Sequence, residues 1–291
     1  MDFNDFVSMP AVNPLLLRGL LGKDAQTFIK KPARLATVLL TSGKLGIFSS
    51  ESVVAIIDRL TGGGTFSELT PHAQDESVPW YQRREIKVVT SDITARALRV
   101  LPDDLPVYGE EAGKFAVAEA CRQSMSLPLF FEPVVQPYRQ LPPGTESTIM
   151  DGGVLSNFPL WIFDADRDPA TRRQPRCPTI GFLLVEPHEP PPPPKAVTNI
   201  LSKVIGTVAT LYQQREAQWQ RSNPEVVRER TINIPVPEGI TTTSFSLSDT
   251  DRDRLWTAGY TSAANFIKEF MFSEHLQHRG FPEAAEALNK S

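Results

Sequence analysis

Two cysteines, four histidines and no long apolar run in 291 residues exclude several functions before any is suggested. Cys121 and Cys177 are too few for a disulfide framework and read as reduced structural residues, Cys121 within a helix. His72, His188, His275 and His278 stand in polar or terminal segments without metal-ligand spacing, and the expectation for them is the surface. No stretch approaches the ~20 apolar residues needed to cross a bilayer, and Asp2 and Asp5 break the basic-then-apolar order of a signal peptide. A net charge of −4 gives no electrostatic case for nucleic acid or for strong attraction to an anionic membrane. Asp249, Asp251 and Asp253 alternate like the start of a calcium loop. Its sixth and twelfth positions would be Arg254 and Tyr260, where such a loop requires Gly and Glu, and Ser248 with Asp251 reads instead as a helix cap. One further absence concerns catalysis: the only glycines four apart are Gly109 and Gly113, with Glu111 between them, so Gly-x-Ser-x-Gly does not occur.

What is there alternates between helical and extended patterns, and 41% hydrophobic residues suffice for a large core. Residues 51–60 place Val53, Val54, Ile56, Ile57 and Leu60 on one helical face after Ser49 and Ser50, and Gly62-Gly63-Gly64 stops that helix. Short β-rich runs at 86–90, 147–150 and 179–185 read as strands, and Thr231 to Val236 as an edge strand because it contains Pro235. Helices between strands argue for an α/β sandwich. The arginine-rich run Asp166 to Pro178 reads as a solvated loop, and Pro190 to Pro194 as part of a stiff linker. Val197, Ile200, Leu201, Val204, Ile205, Val208, Leu211 and Tyr212 recur at helical spacing; docking on the sheet and lying on a lipid surface are both open to such a stripe. A last helix begins near Ser248, with Leu255, Ala258, Ala263, Phe266, Ile267 and Phe270 as its buried face.

The run Asp151-Gly152-Gly153-Val154-Leu155-Ser156-Asn157-Phe158-Pro159 follows the apolar Thr148-Ile149-Met150, so a carboxylate leaves a strand end into a glycine turn. This run resembles the Asp-Gly-Gly/Ala motif of the patatin-like acyl hydrolases, which cleave lipid esters with a Ser/Asp dyad. Ala116 to Pro128 is similar to that family's helix and serine-proline turn, and Ile86 to Ile93 resembles its strand ending in Thr-x-Asp. Gly46 to Ser50 and Thr65 to Leu69 fill two more family positions, so the likeness spans roughly Leu40 to Pro187. Gln123 stands where the family usually has a small residue.

The resemblance implies a patatin-like α/β/α sandwich with a mixed, mostly parallel sheet, incomplete on its N-terminal side. Residues 1–187 would form the C-terminal portion of the catalytic domain, 188–195 a proline-rich linker, and 196–291 an extension packing on the same domain. It implies Asp151 as general base, with Gly152 and Gly153 as its motif partners, and a lipid or other carboxylic ester as substrate. No cofactor and no metal are called for. A cytoplasmic setting is implied, with peripheral membrane contact as a variant of it. Without the serine and the glycine-rich oxyanion loop, Asp151 has nothing to activate, so the expectation is an inactive chain. Ser124, Ser126 and Ser156 are the nearby hydroxyls that could substitute, and none sits on an elbow with small neighbours. The alternative is a noncatalytic module that binds lipid or protein on the same scaffold.

Overall fold

The computed structural model describes Gly46 and residues 48–73, 75, 77–78, 85–128, 131–139, 142, 144–156, 158–163, 178–185, 228–240, 247–278 and 280–289. The chain divides into two compact units, residues 1–157 with 196–215 and residues 158–195 with 216–291. The proline tract, the stripe from Val197 to Tyr212, Cys177, His188 and the arginine run up to residue 177 lie outside the described residues.

In the first unit, helix α1 (Glu51–Thr61) begins at Ser50 and ends at Gly62, whose φ of 78° is left-handed and stops the helix as the glycine run suggests. Ser50 makes no side-chain cap; Ser49 Oγ instead accepts the Glu51 N–H at 3.2 Å. The inward row is shorter than the apolar pattern indicates. Val53 and Ile56 are buried, but Leu60 is 68% exposed at the free end of the helix. Helix α2 (Phe66–Leu69) carries a complete capping box, Thr65 accepting from the Glu68 N–H and the Glu68 carboxylate accepting from the Thr65 N–H at 2.8 Å.

Strands β1 (Val88–Asp92), β2 (Ala97–Leu101), β3 (Val134–Pro137) and β4 (Glu146–Asp151) form a sheet ordered β2-β1-β4-β3. Every pairing in it is antiparallel, which corrects the expectation of a mostly parallel sheet. The connections explain the difference. Four residues join β1 to β2 and eight join β3 to β4, and a parallel crossover needs a dozen or more. The α/β character itself stands, with helix α3 (Val117–Ser124) packed against β1 and β4 and against α1.

Register decides which side chains share a face. Val88 pairs with Leu101, Thr90 with Arg99 and Asp151, and Asp92 with Ala97 and Ile149. Alternation therefore sets Val88, Thr90, Asp92, Leu101, Ile149 and Asp151 on one side of the sheet. That side is covered by α3, because Leu101 clusters with Val117 and Ala120, with Val88 and Cys121 packed against them. Tyr108, Val134 and Ile149 form the neighbouring cluster. Cys121 is a free, half-buried thiol whose proton affinity burial raises.

In the second unit β5 (Gly181–Val185) and β6 (Thr231–Pro235) pair in parallel, with Pro235 at the strand end opposite Val185. Helix α4 (Asp249–Glu269) starts at Ser248, whose hydroxyl accepts the Asp251 N–H, so the aspartates cap a helix. Its inward row includes Leu255, Ala258, Ala263, Phe266 and Phe270 only in part-buried form, and Ile267 is 73% exposed, outside the face assigned to it. Helices α5 (Phe272–His278) and α6 (Pro282–Asn289) pack as a pair. His275 on α5 is 1% exposed, a correction to its expected surface position; the ring lies against Phe270 and Phe272, contacts that sequence spacing did not suggest. Among the described residues no group of His, Cys, Asp and Glu could hold a metal ion, and no helix is long and apolar enough to cross a membrane.

Candidate active site

Asp151 is the last residue of β4, and three features fix its position. Its backbone pairs with Thr90 on β1, its N–H donates to the Ser126 carbonyl at 3.0 Å, and its carboxylate Oδ1 accepts the Gly153 N–H at 2.6 Å. The chain then enters a 3-10 turn over Gly152–Val154, capped by that same carboxylate. Burial raises the proton affinity of Asp151 above the usual carboxylate range, and the Gly153 hydrogen bond opposes only part of that shift.

Gly152 is required by close approach and not by a left-handed backbone. A Cβ built on it would lie 2.6 Å from the Val89 carbonyl carbon and would overlap the carbonyl oxygen. The absence of a side chain lets the turn after β4 press onto β1, which holds the Asp151 carboxylate against the Thr90 side of the sheet. Ser91 adds a tether, its hydroxyl reaching the Gly152 carbonyl at 3.4 Å.

No hydrogen bond joins the hydroxyl of Ser124, Ser126 or Ser156 to the Asp151 carboxylate among the described residues. Ser126 is fully buried and donates its hydroxyl to the Arg122 carbonyl at 2.8 Å, closing the end of α3. Ser124 lies in the last turn of α3, and the Ser156 N–H donates to the Gly152 carbonyl at 2.9 Å, which sets Ser156 in the turn after Asp151. Among the described residues the hydrogen bond recorded at the Asp151 carboxylate is the one from Gly153.

A second carboxylate lies on the same face and behaves differently. Asp92 is fully buried and accepts from Tyr108 Oη at 2.9 Å, Ser147 Oγ at 2.7 Å and the Ala95 N–H at 2.8 Å, with Arg99 Nε at 3.9 Å. Burial and then the hydrogen bond to Asp92 push the Tyr108 phenol far above its ordinary range, so the tyrosine remains a neutral donor. Both oxygens of Asp92 are engaged, in three hydrogen bonds that join β1, β4 and the 3-10 segment Leu105–Tyr108, the arrangement of a structural tie.

With this geometry established, comparison with known proteins decides the family. The family model for "Patatin-like phospholipase" matches residues 3–164. The chain belongs to the patatin-like phospholipase family. A relative from Bacillus subtilis (strain 168), the "Uncharacterized protein YqhO", is 30% identical over 232 residues, covering 79% of this chain and 70% of its own. This patatin-like chain thus comes from a lipid acyl hydrolase lineage, with lipid esters as the substrate class the family implies. Sequence reasoning missed β2, β3 and the pairing of Thr90 with Asp151. Thr90 was legible only as part of Thr-x-Asp, because strand pairing, which sets it opposite Asp151, leaves no local signal.

Proposed function

We propose that Asp151 is the general base of an ester hydrolase acting on lipid or related carboxylic esters, and that these 291 residues do not complete the reaction by themselves. The observation that carries this reading is a strand-end carboxylate held by its own turn, largely buried, with raised proton affinity. Such a group is a better proton acceptor near neutral pH than an ordinary carboxylate. In the reaction it would take the proton of a serine hydroxyl as that oxygen attacks the ester carbonyl, and water would later release the acyl group. Direct contact of carboxylate and hydroxyl is needed because no imidazole stands between them.

The inactivity rests on two further supports. The sequence holds no Gly-x-Ser-x-Gly, and Ser126 is tied to the Arg122 carbonyl. Without an elbow, the hydroxyl and the N–H groups that stabilise the oxyanion are both missing from these residues. The test is hydrolysis of short p-nitrophenyl esters and of a phospholipid by the wild type and Asp151→Asn, with fluorophosphonate labelling read by mass spectrometry. The expected result is no turnover and no labelled serine. Turnover lost in Asp151→Asn together with a labelled serine from this sequence would overturn the inactivity while supporting the base.

A further inference from the structure

Among the described residues, two fully buried side chains with unsatisfied polar atoms belong to the elements packed around Asp151. Thr90, directly opposite it across β1 and β4, is 0% exposed and its hydroxyl has no hydrogen-bond partner. Gln123 is likewise 0% exposed, and neither its carboxamide oxygen nor its nitrogen has one. Three observations place Gln123 on the stretch of α3 that runs from the Leu101 cluster toward Asp151. Val117, Ala120 and Gln123 follow at three-residue intervals among the buried residues of α3, and the first two pack on Leu101 beside Val88. Thr90 is the next residue along β1 on the same face as Val88. At the far end the Ser126 N–H donates to the Gln123 carbonyl at 3.3 Å while the Ser126 carbonyl takes the Asp151 N–H. Gln123 therefore lies between the Leu101 contact and the Asp151 contact.

A buried carboxamide left unsatisfied is destabilising, and a methyl-bearing residue would avoid that penalty. The groups left over are an amide donor, an amide acceptor, a hydroxyl and the Asp151 oxygen not bonded to Gly153. Together they complement one small hydroxyl group. We infer that Gln123 and Thr90 are positioning residues that hold a hydroxyl, of water or of an arriving nucleophile, against the Asp151 carboxylate and so set its basicity.

This rests on the reading of Asp151 as general base. Besides Asp151, the charged and titratable groups on the sheet strands β1, β2 and β4 and on α3 are Asp92 on β1, Arg99 on β2, Glu146 at the far end of β4, and Glu119, Cys121 and Arg122 on α3. Asp92 is held by Tyr108, Ser147 and Ala95, and Glu119 pairs with Arg122 at 2.7 Å. Burial keeps the Cys121 thiol neutral.

The test is 13C NMR titration of the Asp151 carboxyl, assigned with Asp151→Asn, in wild type, Gln123→Leu, Thr90→Val and Thr90→Ser. Losing the held hydroxyl removes a hydrogen bond to the ionised form, so Gln123→Leu and Thr90→Val should raise the midpoint by about one unit. Thr90→Ser should stay near wild type. A residue with a merely structural role would change the melting temperature and leave the titration in place. Folded Gln123→Leu and Thr90→Val proteins titrating within about 0.2 unit of wild type would overturn the proposal. A shift in Thr90→Val alone would overturn the part assigned to Gln123. If Gln123→Leu fails to fold, the contrast of Thr90→Val with Thr90→Ser decides. A wild-type midpoint in the ordinary carboxylate range would instead strike the general-base reading, and this proposal with it.

Discussion

Gly152→Ala is the substitution whose effect the geometry fixes most tightly. The new Cβ would come within 2.6 Å of the Val89 carbonyl carbon and nearer still to its oxygen, and both atoms are backbone. No rotamer change relieves that overlap. Val89 sits in β1, which is hydrogen-bonded on one side to β2 and on the other to β4, so neither strand can retreat without loss of pairing. Overpacking of this kind costs about 1–3 kcal/mol, and losing one or two strand hydrogen bonds adds about 1 kcal/mol each.

The expected destabilisation is thus roughly 2–5 kcal/mol by urea denaturation, with faster amide exchange in β1 and β4. Gly259→Ala is the matched control, since a Cβ there meets nothing within 4 Å inside helix α4. It should stabilise by about 0.5–1 kcal/mol through helix propensity alone. If Gly152→Ala denatures within about 1 kcal/mol of wild type while Gly259→Ala behaves as stated, the close-approach account of the Asp-Gly-Gly turn is wrong.

Two further perturbations separate the buried acids. The Asp151 folded-state pKa is raised, so between its unfolded value and that higher value the folded protein binds more protons than the unfolded one, and stability falls as pH rises through that window. Asp151→Asn should therefore raise the melting temperature at neutral pH, with the gain vanishing once the pH is below the ordinary carboxylate range; a gain that persists there would contradict burial as the cause. Tyr108→Phe leaves the fully buried Asp92 short of one donor and should destabilise by about 2 kcal/mol. In the wild type that phenol should not ionise in an ultraviolet titration carried to about pH 12.

How much of this was legible follows from what is local. Caps and stops are encoded within a few residues, and so the helix stop at Gly62 and the cap of Ser248 with Asp251 read correctly from the sequence, whereas the capping box of Thr65 with Glu68, equally local, went unread. The strand end at Asp151 was also local, an apolar run meeting two glycines. The direction of the sheet was not, because it depends on where chain segments meet; the short links between β1 and β2 and between β3 and β4 could have revealed it had β2 and β3 been identified. Burial of single side chains failed at ends and turns. Periodicity places Leu60 and Ile267 inward, but Leu60 falls in the last turn of α1, where the side chain is exposed, and α4 has no fully buried residue. His275 failed in the opposite sense, since its burial comes from aromatic neighbours brought together by the turn between α4 and α5.

Asp92 and Asp151 share one face of the sheet, on strands paired to each other, and helix α3 packs against both strands. Asp92 has its hydrogen-bonding capacity met by Tyr108, Ser147 and the Ala95 N–H, whereas Asp151 has one recorded hydrogen bond and unsatisfied Thr90 and Gln123 beside it. A fold selected for stability alone would have no reason to meet one acid fully and leave its neighbour exposed to desolvation. The asymmetry fits Asp92 as a tie that holds the sheet and supports the proposal that Asp151 is the group that takes a proton, with Thr90 and Gln123 as the polar groups nearest in the fold to it.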